Sequence, residues 1–225
     1  MIIDNPPFHP SAALRSTLRA GEVHLWQVRL DEVPEETCAT LAPDERARAA
    51  RFHFERDAAR YRAGRGALRT LLASHLDCDA RTLAFTTGPH GKPELATPFT
   101  TLRFNVSHSD DLMLIALAHG RSLGVDLEFM RANVPFETLA EHYFDPEDAW
   151  RVRTLPLAER ARTFYEVWTS TEARLKASGI GLSKGTKIIE PDRWSVLRLS
   201  PAEGFAAALA VEGADFQLAC WKWTT

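Results

Sequence analysis

Two hydrophobic rhythms alternate along the chain, and each marks a type of element. Val23 to Leu30, rich in Val, Leu and Trp, predicts a strand. Pro43 to Phe54 opens with proline and acids in its first turn, as helices do. A second helix is expected from about Arg56 to His75, where Leu68, Leu71, Leu72 and His75 recur at helical spacing. Thr87-Gly88-Pro89-His90-Gly91-Lys92-Pro93 reads as a turn-rich loop. Strand-like segments follow at Leu102 to Val106, Leu112 to Ala118 and Leu123 to Phe129. Arg160 to Ser178 predicts a long helix with Phe164, Val167, Trp168, Ala173 and Leu175 as its apolar content and Gly179 as its C-terminal cap. Trp194 to Leu199, Phe205 to Val211 and Phe216 to Trp223 predict three closing strands.

Each half of the chain thus offers strands plus a long helix, an α+β pattern. The break is expected near His119-Gly120-Arg121-Ser122, giving halves 1–119 and 120–225. The segment from Leu123 to Phe129 carries the first chemical signal. Alternate residues of a strand share a face, so Leu123, Val125, Leu127 and Phe129 anchor one side while Gly124, Asp126 and Glu128 stand on the other. Magnesium takes oxygen ligands, commonly a few carboxylates plus substrate phosphate. Asp126 and Glu128, with Glu172 from the long helix, would provide such a set. Taken singly, an Asp-x-Glu strand face is usually solvated, and Glu172 with Lys176 four residues on is usually a surface ion pair. Their combination carries the signal.

Composition narrows the classes. At 225 residues, with 45% hydrophobic and 25% charged residues, the chain is an ordinary globular protein. A net charge of −3 gives no global pull toward nucleic acid or a membrane. Locally, Arg46, Arg48, Arg51, Arg56, Arg60, Arg62, Arg65 and Arg69 face only Asp44, Glu45, Glu55 and Asp57, a basic segment able to meet an anionic ligand or an acidic protein. Cys38, Cys78 and Cys220 are odd in number and far apart, with neither zinc nor disulfide spacing. The start Met1-Ile2-Ile3-Asp4-Asn5-Pro6-Pro7 lacks a signal-peptide pattern, and the longest apolar run, Leu112 to Ala118, is too short to span a bilayer. A cytoplasmic location is expected.

In order along the chain stand Arg60, Gly91-Lys92-Pro93, Phe104-Asn105-Val106-Ser107-His108-Ser109, Gly124-Val125-Asp126-Leu127-Glu128, Tyr143-Phe144-Asp145-Pro146-Glu147-Asp148, Trp168 to Lys176 and Gly179-Ile180-Gly181-Leu182. From about Pro43 to Leu182 this series resembles the 4′-phosphopantetheinyl transferases of the surfactin-synthetase-activating (Sfp) type. The resemblance implies two similar α+β halves related by a pseudo-twofold, each a small antiparallel sheet packed with a long helix, with the active site at their interface. It implies transfer of the phosphopantetheine arm of coenzyme A to a serine of an acyl or peptidyl carrier protein, with release of 3′,5′-bisphosphoadenosine. By motif match, Asp126, Glu128 and Glu172 bind magnesium with the diphosphate, and Lys176 neutralises diphosphate charge. His108 meets the 3′-phosphate, while Arg60, Lys92 and Ser107 place the nucleotide. The catalytic set is Glu172, Lys176 and Asp126. Glu172 is the first candidate to accept the serine proton, directly or through a water on the metal. Glu147 or Asp148 occupies the place of a further family acid. A monomer is expected.

One position departs from the pattern. The family carries lysine directly before the helix glutamate, and Thr171 stands there instead. Arg174, about one helical turn on, is a candidate replacement for that charge. Two other readings follow: a non-catalytic or weakly active relative that binds coenzyme A or a carrier, suggested by Thr171, and a magnesium-dependent phosphoesterase using the same carboxylates.

Overall fold

The computed structural model describes residues 6–10, 17–88, 91–96, 101–180 and 191–224. Among these are ten strands: β1 (His9–Pro10), β2 (Glu22–Arg29), β3 (Phe85–Thr87), β4 (Pro93–Leu95), β5 (Leu102–Ser109), β6 (Leu112–His119), β7 (Leu123–Phe129), β8 (Trp194–Leu199), β9 (Phe205–Glu212) and β10 (Gln217–Lys222). The α-helices are α1 (Pro43–Ala49), α2 (Glu55–Leu76), α3 (Phe136–Tyr143), α4 (Pro146–Thr154) and α5 (Leu157–Ser178). The part of the Gly179–Leu182 motif from Gly181 on lies outside the described residues.

Each half lays one 22-residue helix against three antiparallel strands. In the first half the strands are β2, β6 and β5, and in the second they are β7, β9 and β8. The expected α+β halves are therefore present, with one addition. The last strand, β10, leaves the second half and pairs parallel with β2, carrying β1 on its outer edge. The first sheet is thus mixed rather than purely antiparallel, and the two halves share it.

The layers follow from the alternation within strands. Trp26, Val28, Ile115 and Leu117 pack on Leu68, Leu71 and Leu72 of α2. The opposite face of the same sheet, with Val23, Leu25, Leu112 and Leu114, meets Val125, Leu127, Leu209 and Val211 of the second sheet. Residues such as Leu25, Leu114 and Ile115 are fully buried, each worth about 1.5–3 kcal/mol. On β9 the inward residues alternate with Ala206, Ala208 and Ala210, and small side chains there let α5 lie close through Ala173 and Ala177. The order is α2, first sheet, second sheet, α5.

The closest approach is at Gly124. A Cβ there would stand 2.2 Å from the Ala173 carbonyl oxygen and 2.4 Å from the Ala177 nitrogen. The glycine of Gly-Val-Asp-Leu-Glu thus sets how near α5 comes to the strand bearing the acids.

A histidine pair sits away from the cleft. His24 of β2 is buried, its ring centroid 5.8 Å from that of His75 on α2. Burial, then the neighbouring His75, push the His24 imidazolium down to about 4, although Glu22 at 3.5 Å pulls the other way. The fold therefore holds His24 neutral while the unfolded chain takes a proton near the ordinary histidine value of 6.5. Stability is complete above that value and declines as pH falls toward 4, by about 3 kcal/mol from this residue. Urea unfolding of the parent and of His24→Gln at pH 7 and 4.5 checks this: the variant should show the shallower pH slope.

Candidate functional site

A cleft of about 1030 Å³ opens between the halves. The helix side contributes Arg48, Arg60, Tyr61 and Arg65, with Phe85 from β3, while the second half contributes Asp126 and Glu128 of β7 and Trp168, Glu172 and Lys176 of α5. Ser107 and His108 of β5 lie between them. Seven of the eight residues singled out in the sequence line this one cleft; Lys92 does not.

The acidic end is built by alternation. Asp126 and Glu128 point to the α5 side of β7, the face that Gly124 leaves open. One turn of helix separates Glu172 from Lys176, so both reach the same place. The Lys176 Nζ donates to Asp126 Oδ1 at 2.7 Å and to Ser107 Oγ at 3.0 Å. Asp126 is 4% exposed, and its Oδ2 is buried without a hydrogen-bond partner. Burial, then the charge of Asp126, raise both the Glu128 and the Glu172 carboxyl above the usual range. Negative charge is thus crowded here beyond what Lys176 compensates. The three carboxylates line one cleft without closing on a single point: among the described residues no group of three His, Cys, Asp or Glu side chains does so.

The stretch Asn105 to Ser109 has a structural job that its motif conceals. β7 pairs on one edge with β9, leaving N–H groups on its other edge. The side chains of Asn105, Ser107 and Ser109, on alternate positions of β5, accept from the N–H groups of Val125, Leu127 and Phe129 at 2.8, 3.2 and 3.0 Å. The two serines also donate onward, Ser107 to Asp126 at 3.1 Å and Ser109 to Glu128 at 3.2 Å. Buried N–H groups need such partners. One set of side chains thus closes a sheet edge and fixes two carboxylates. His108 points to the opposite face and presents open surface to the cleft. Desolvation by the walls beside it, then the Lys176 cation, hold its imidazolium below the usual histidine range.

The basic wall is mixed. Arg60 is doubly engaged, with both Asp31 oxygens at 2.8 and 2.7 Å and with Asp110 at 2.6 Å. Arg69 is buried on Glu45 and on the carbonyls of Ala80 and Leu83. Arg65 pairs with Glu45 and lies 4.5 Å over the Phe85 ring. Arg48 lies 5.4 Å over the Tyr61 ring and lines the cleft, a cation that the sequence alone could not single out from Arg46 and Arg51. Its place in the last turn of α1, four residues before the aromatic Phe52, is the signal that could have found it.

The remaining residues settle elsewhere. Thr171 is half-buried and outside the cleft lining. Arg174 does not take the place of the missing lysine: it faces Arg198 and Asp148, away from the cleft. Asp148 is raised by burial, then by Asp145, and neither it nor Glu147 lines the cleft. Trp168 is both core and wall, stacked at 5.7 Å on Phe164 with one face on the cleft.

Comparison with known proteins agrees with this geometry. The family described as 4′-phosphopantetheinyl transferase, N-terminal, matches residues 25–120, and the 4′-phosphopantetheinyl transferase superfamily matches 122–220. The chain is 38% identical over 225 residues to the 4′-phosphopantetheinyl transferase HetI of Nostoc sp., covering 92% of this chain and 94% of that protein. It is 34% identical over 161 residues to a phosphopantetheinyl transferase of Thraustochytrium sp., 65% of this chain and 55% of the other. Against the 4′-phosphopantetheinyl transferase of Bacillus subtilis it is 26% identical over 145 residues, 64% of this chain and 63% of that one.

Proposed function

Since the chain belongs to the 4′-phosphopantetheinyl transferase superfamily, we infer that its cleft moves the phosphopantetheine arm of coenzyme A onto a serine of an acyl or peptidyl carrier protein. The observation that carries this reading is the acidic end of the cleft, where Lys176, Asp126, Glu128 and Glu172 meet opposite Arg48 and His108. The Sfp-type subdivision is part of the same proposal. A phosphoesterase would leave the nucleotide-facing wall without a purpose.

A divalent cation fits the donor set. The buried Asp126 Oδ2 lacks a partner, and the raised carboxyls of Glu128 and Glu172 report uncompensated negative charge. We assign magnesium to Asp126, Glu128 and Glu172, where it would stabilise charge on the diphosphate oxygens. The chain's own groups do the rest. Lys176, bonded to Asp126 in the same cleft, would compensate charge developing on the leaving group. The serine oxygen forms a bond to the phosphorus next to the pantetheine arm. The bond from that phosphorus to the oxygen of the bisphosphoadenosine breaks, and its electron pair leaves with that product. The serine proton passes to Glu172, which lines the cleft beside Lys176. His108 and Arg48 bind the nucleotide phosphate. Arg60 and Ser107 support them from the wall, Arg60 through its clamp on Asp31 and Asp110.

The cleft is assembled within one chain, which supports a monomer. Free Cys38, Cys78 and Cys220 support a reducing cytoplasm. Among the described residues no helix is long and apolar enough to cross a membrane.

Incubation with coenzyme A, magnesium and a serine-bearing carrier should add one phosphopantetheine by mass; failure with several carriers, while coenzyme A binds, would sink the reading. His108→Ala should raise KM for coenzyme A about tenfold or more, the loss of a charge-assisted hydrogen bond, and leave 3′-dephospho-coenzyme A nearly unaffected. The pH dependence has a fixed sign. His108 is held below its usual range in the free protein, and a phosphate on it favours the imidazolium. Binding therefore takes up a proton, and coenzyme A affinity weakens as pH rises through the bound-state value. Calorimetry in buffers of different ionisation enthalpy should detect the uptake and find it missing in His108→Ala.

A further inference from the structure

Lys92 was expected among the nucleotide contacts, and its side chain goes elsewhere. Gly91 and Pro93, on either side, line the cleft, while the ammonium turns away from it. The Nζ donates to the carbonyl of Leu123 at 3.0 Å and to the carbonyl of Lys176 at 2.8 Å. These acceptors are specific in what they govern. Leu123 begins β7, one residue before the Gly124 contact and three before Asp126. Lys176 is in the last turn of α5, and its own side chain binds Asp126. The helix ends two residues later, with Gly179 in the left-handed conformation at φ 73°. A helix C-terminus leaves carbonyls unpaired and carries partial negative charge, so a cation there satisfies both demands. Among the described residues the Lys176 carbonyl also accepts from the Gly179 N–H, at a longer 3.3 Å.

We propose that Lys92 is a positioning residue: a latch from the cleft loop of the first half that sets the backbone of β7 against the end of α5, and so fixes the distance between Asp126 and the Glu172–Lys176 pair. The proposal rests on the transferase reading for its activity arm. The geometry gives the latch a single ammonium holding both catalytic elements at once, next to the point where no side chain separates them. It also ties the loop that a cleft ligand would touch to the backbone of Lys176. A hydrophobic side chain of equal length cannot bridge the two carbonyls, whereas a guanidinium retains several donors and can.

The test compares Lys92→Met and Lys92→Arg with the parent. Lys92→Met should lower kcat about tenfold while KM for coenzyme A stays within about twofold. The preference for coenzyme A over 3′-dephospho-coenzyme A should not change. Lys92→Arg should recover most of kcat. Amide exchange should quicken at Gly179 and Ile180 in the methionine variant only. A tenfold rise in KM for coenzyme A, with kcat kept and the 3′-phosphate preference lost, would make Lys92 a nucleotide ligand instead. A lower melting temperature with kcat and exchange unchanged would make it a stabilising contact and nothing more. If the parent chain transfers to no carrier, the functional reading fails on its own. The latch is then judged by amide exchange and by coenzyme A affinity: quickened exchange with unchanged affinity upholds it, and unchanged exchange overturns it.

Discussion

Asp126→Asn is expected to stay folded and to slow transfer by about a thousandfold or more, the scale of losing a principal electrostatic contact to a transferring phosphoryl group. The amide is nearly the same shape as the carboxylate, so it can still accept from Lys176 and Ser107 through one oxygen. What it lacks is the second oxygen, the buried Oδ2 that no protein group satisfies. Two stability effects oppose one another. An ion pair with Lys176 at 2.7 Å is lost, and repulsion of Glu128 and Glu172 is relieved. Since Lys176 keeps the company of both glutamates, the balance should lie within about 1–2 kcal/mol of the parent. Calorimetry and transfer kinetics on one preparation separate the effects. NMR titration should find Glu128 and Glu172 closer to ordinary glutamate values, because one cause of their elevation has gone. A folded variant transferring at the parental rate would remove Asp126 from the chemistry.

Gly124→Ala should be the most damaging glycine-to-alanine change among the described residues. The added carbon would lie 2.2 Å from the Ala173 carbonyl oxygen and 2.4 Å from the Ala177 nitrogen, both backbone atoms of α5. Inserting a carbon into a packed core costs about 1–3 kcal/mol when side chains can adjust. Here the helix itself must retreat, so about 3 kcal/mol or more is expected, measured by urea unfolding. Activity should fall even where the variant is folded, because Glu172 and Lys176 ride on the retreating helix while Asp126 stays on the strand. Adding Ala173→Gly should not rescue it, since the obstacle is the peptide carbonyl and not the methyl. Rescue by that second change would show that the contact is made by side chains.

How much of this was visible in the sequence depends on what each residue faces. The strands β8 and β9 and the helix α2 have the expected bounds to within a residue, because their apolar periodicity is their packing. The first helix was expected to run to Phe54 and stops at Ala49, with Phe54 in extended conformation as the residue before α2. The strand expected to end at Val106 continues to Ser109. Ser107 and Ser109 in that extension turn to the edge of β7 and not to water, so hydrophobicity could not reveal them. Helices α3 and α4 were not expected, being short, with Pro135 just before the first and Pro146 opening the second. The site was legible as a set of chemical types in order, and that order brought seven residues to one cleft. Two roles were not legible. Lys92 is a lysine in a turn, and only the fold shows that two carbonyls await it. Arg174 sits one turn from Thr171 in the sequence, yet the helix carries it round to Arg198 and Asp148.

The parallel strand β10 has a consequence for synthesis. The first sheet needs residues 217–222 beside residues 22–27, a separation along the chain exceeded among the described ladders only by that of β1 and β10. A chain made from its N-terminus cannot complete that sheet on the ribosome until residues 217–222 have emerged. Contacts this distant in sequence slow folding, and until β10 arrives the edge of β2 stands open as a template for other strands. The boundary near residue 120 is therefore a place to divide the helices but not the sheets. A fragment ending there would carry α2 and the β2–β6–β5 strands with a raw edge, and mixing it with the remaining fragment should restore cleft and sheet together or not at all.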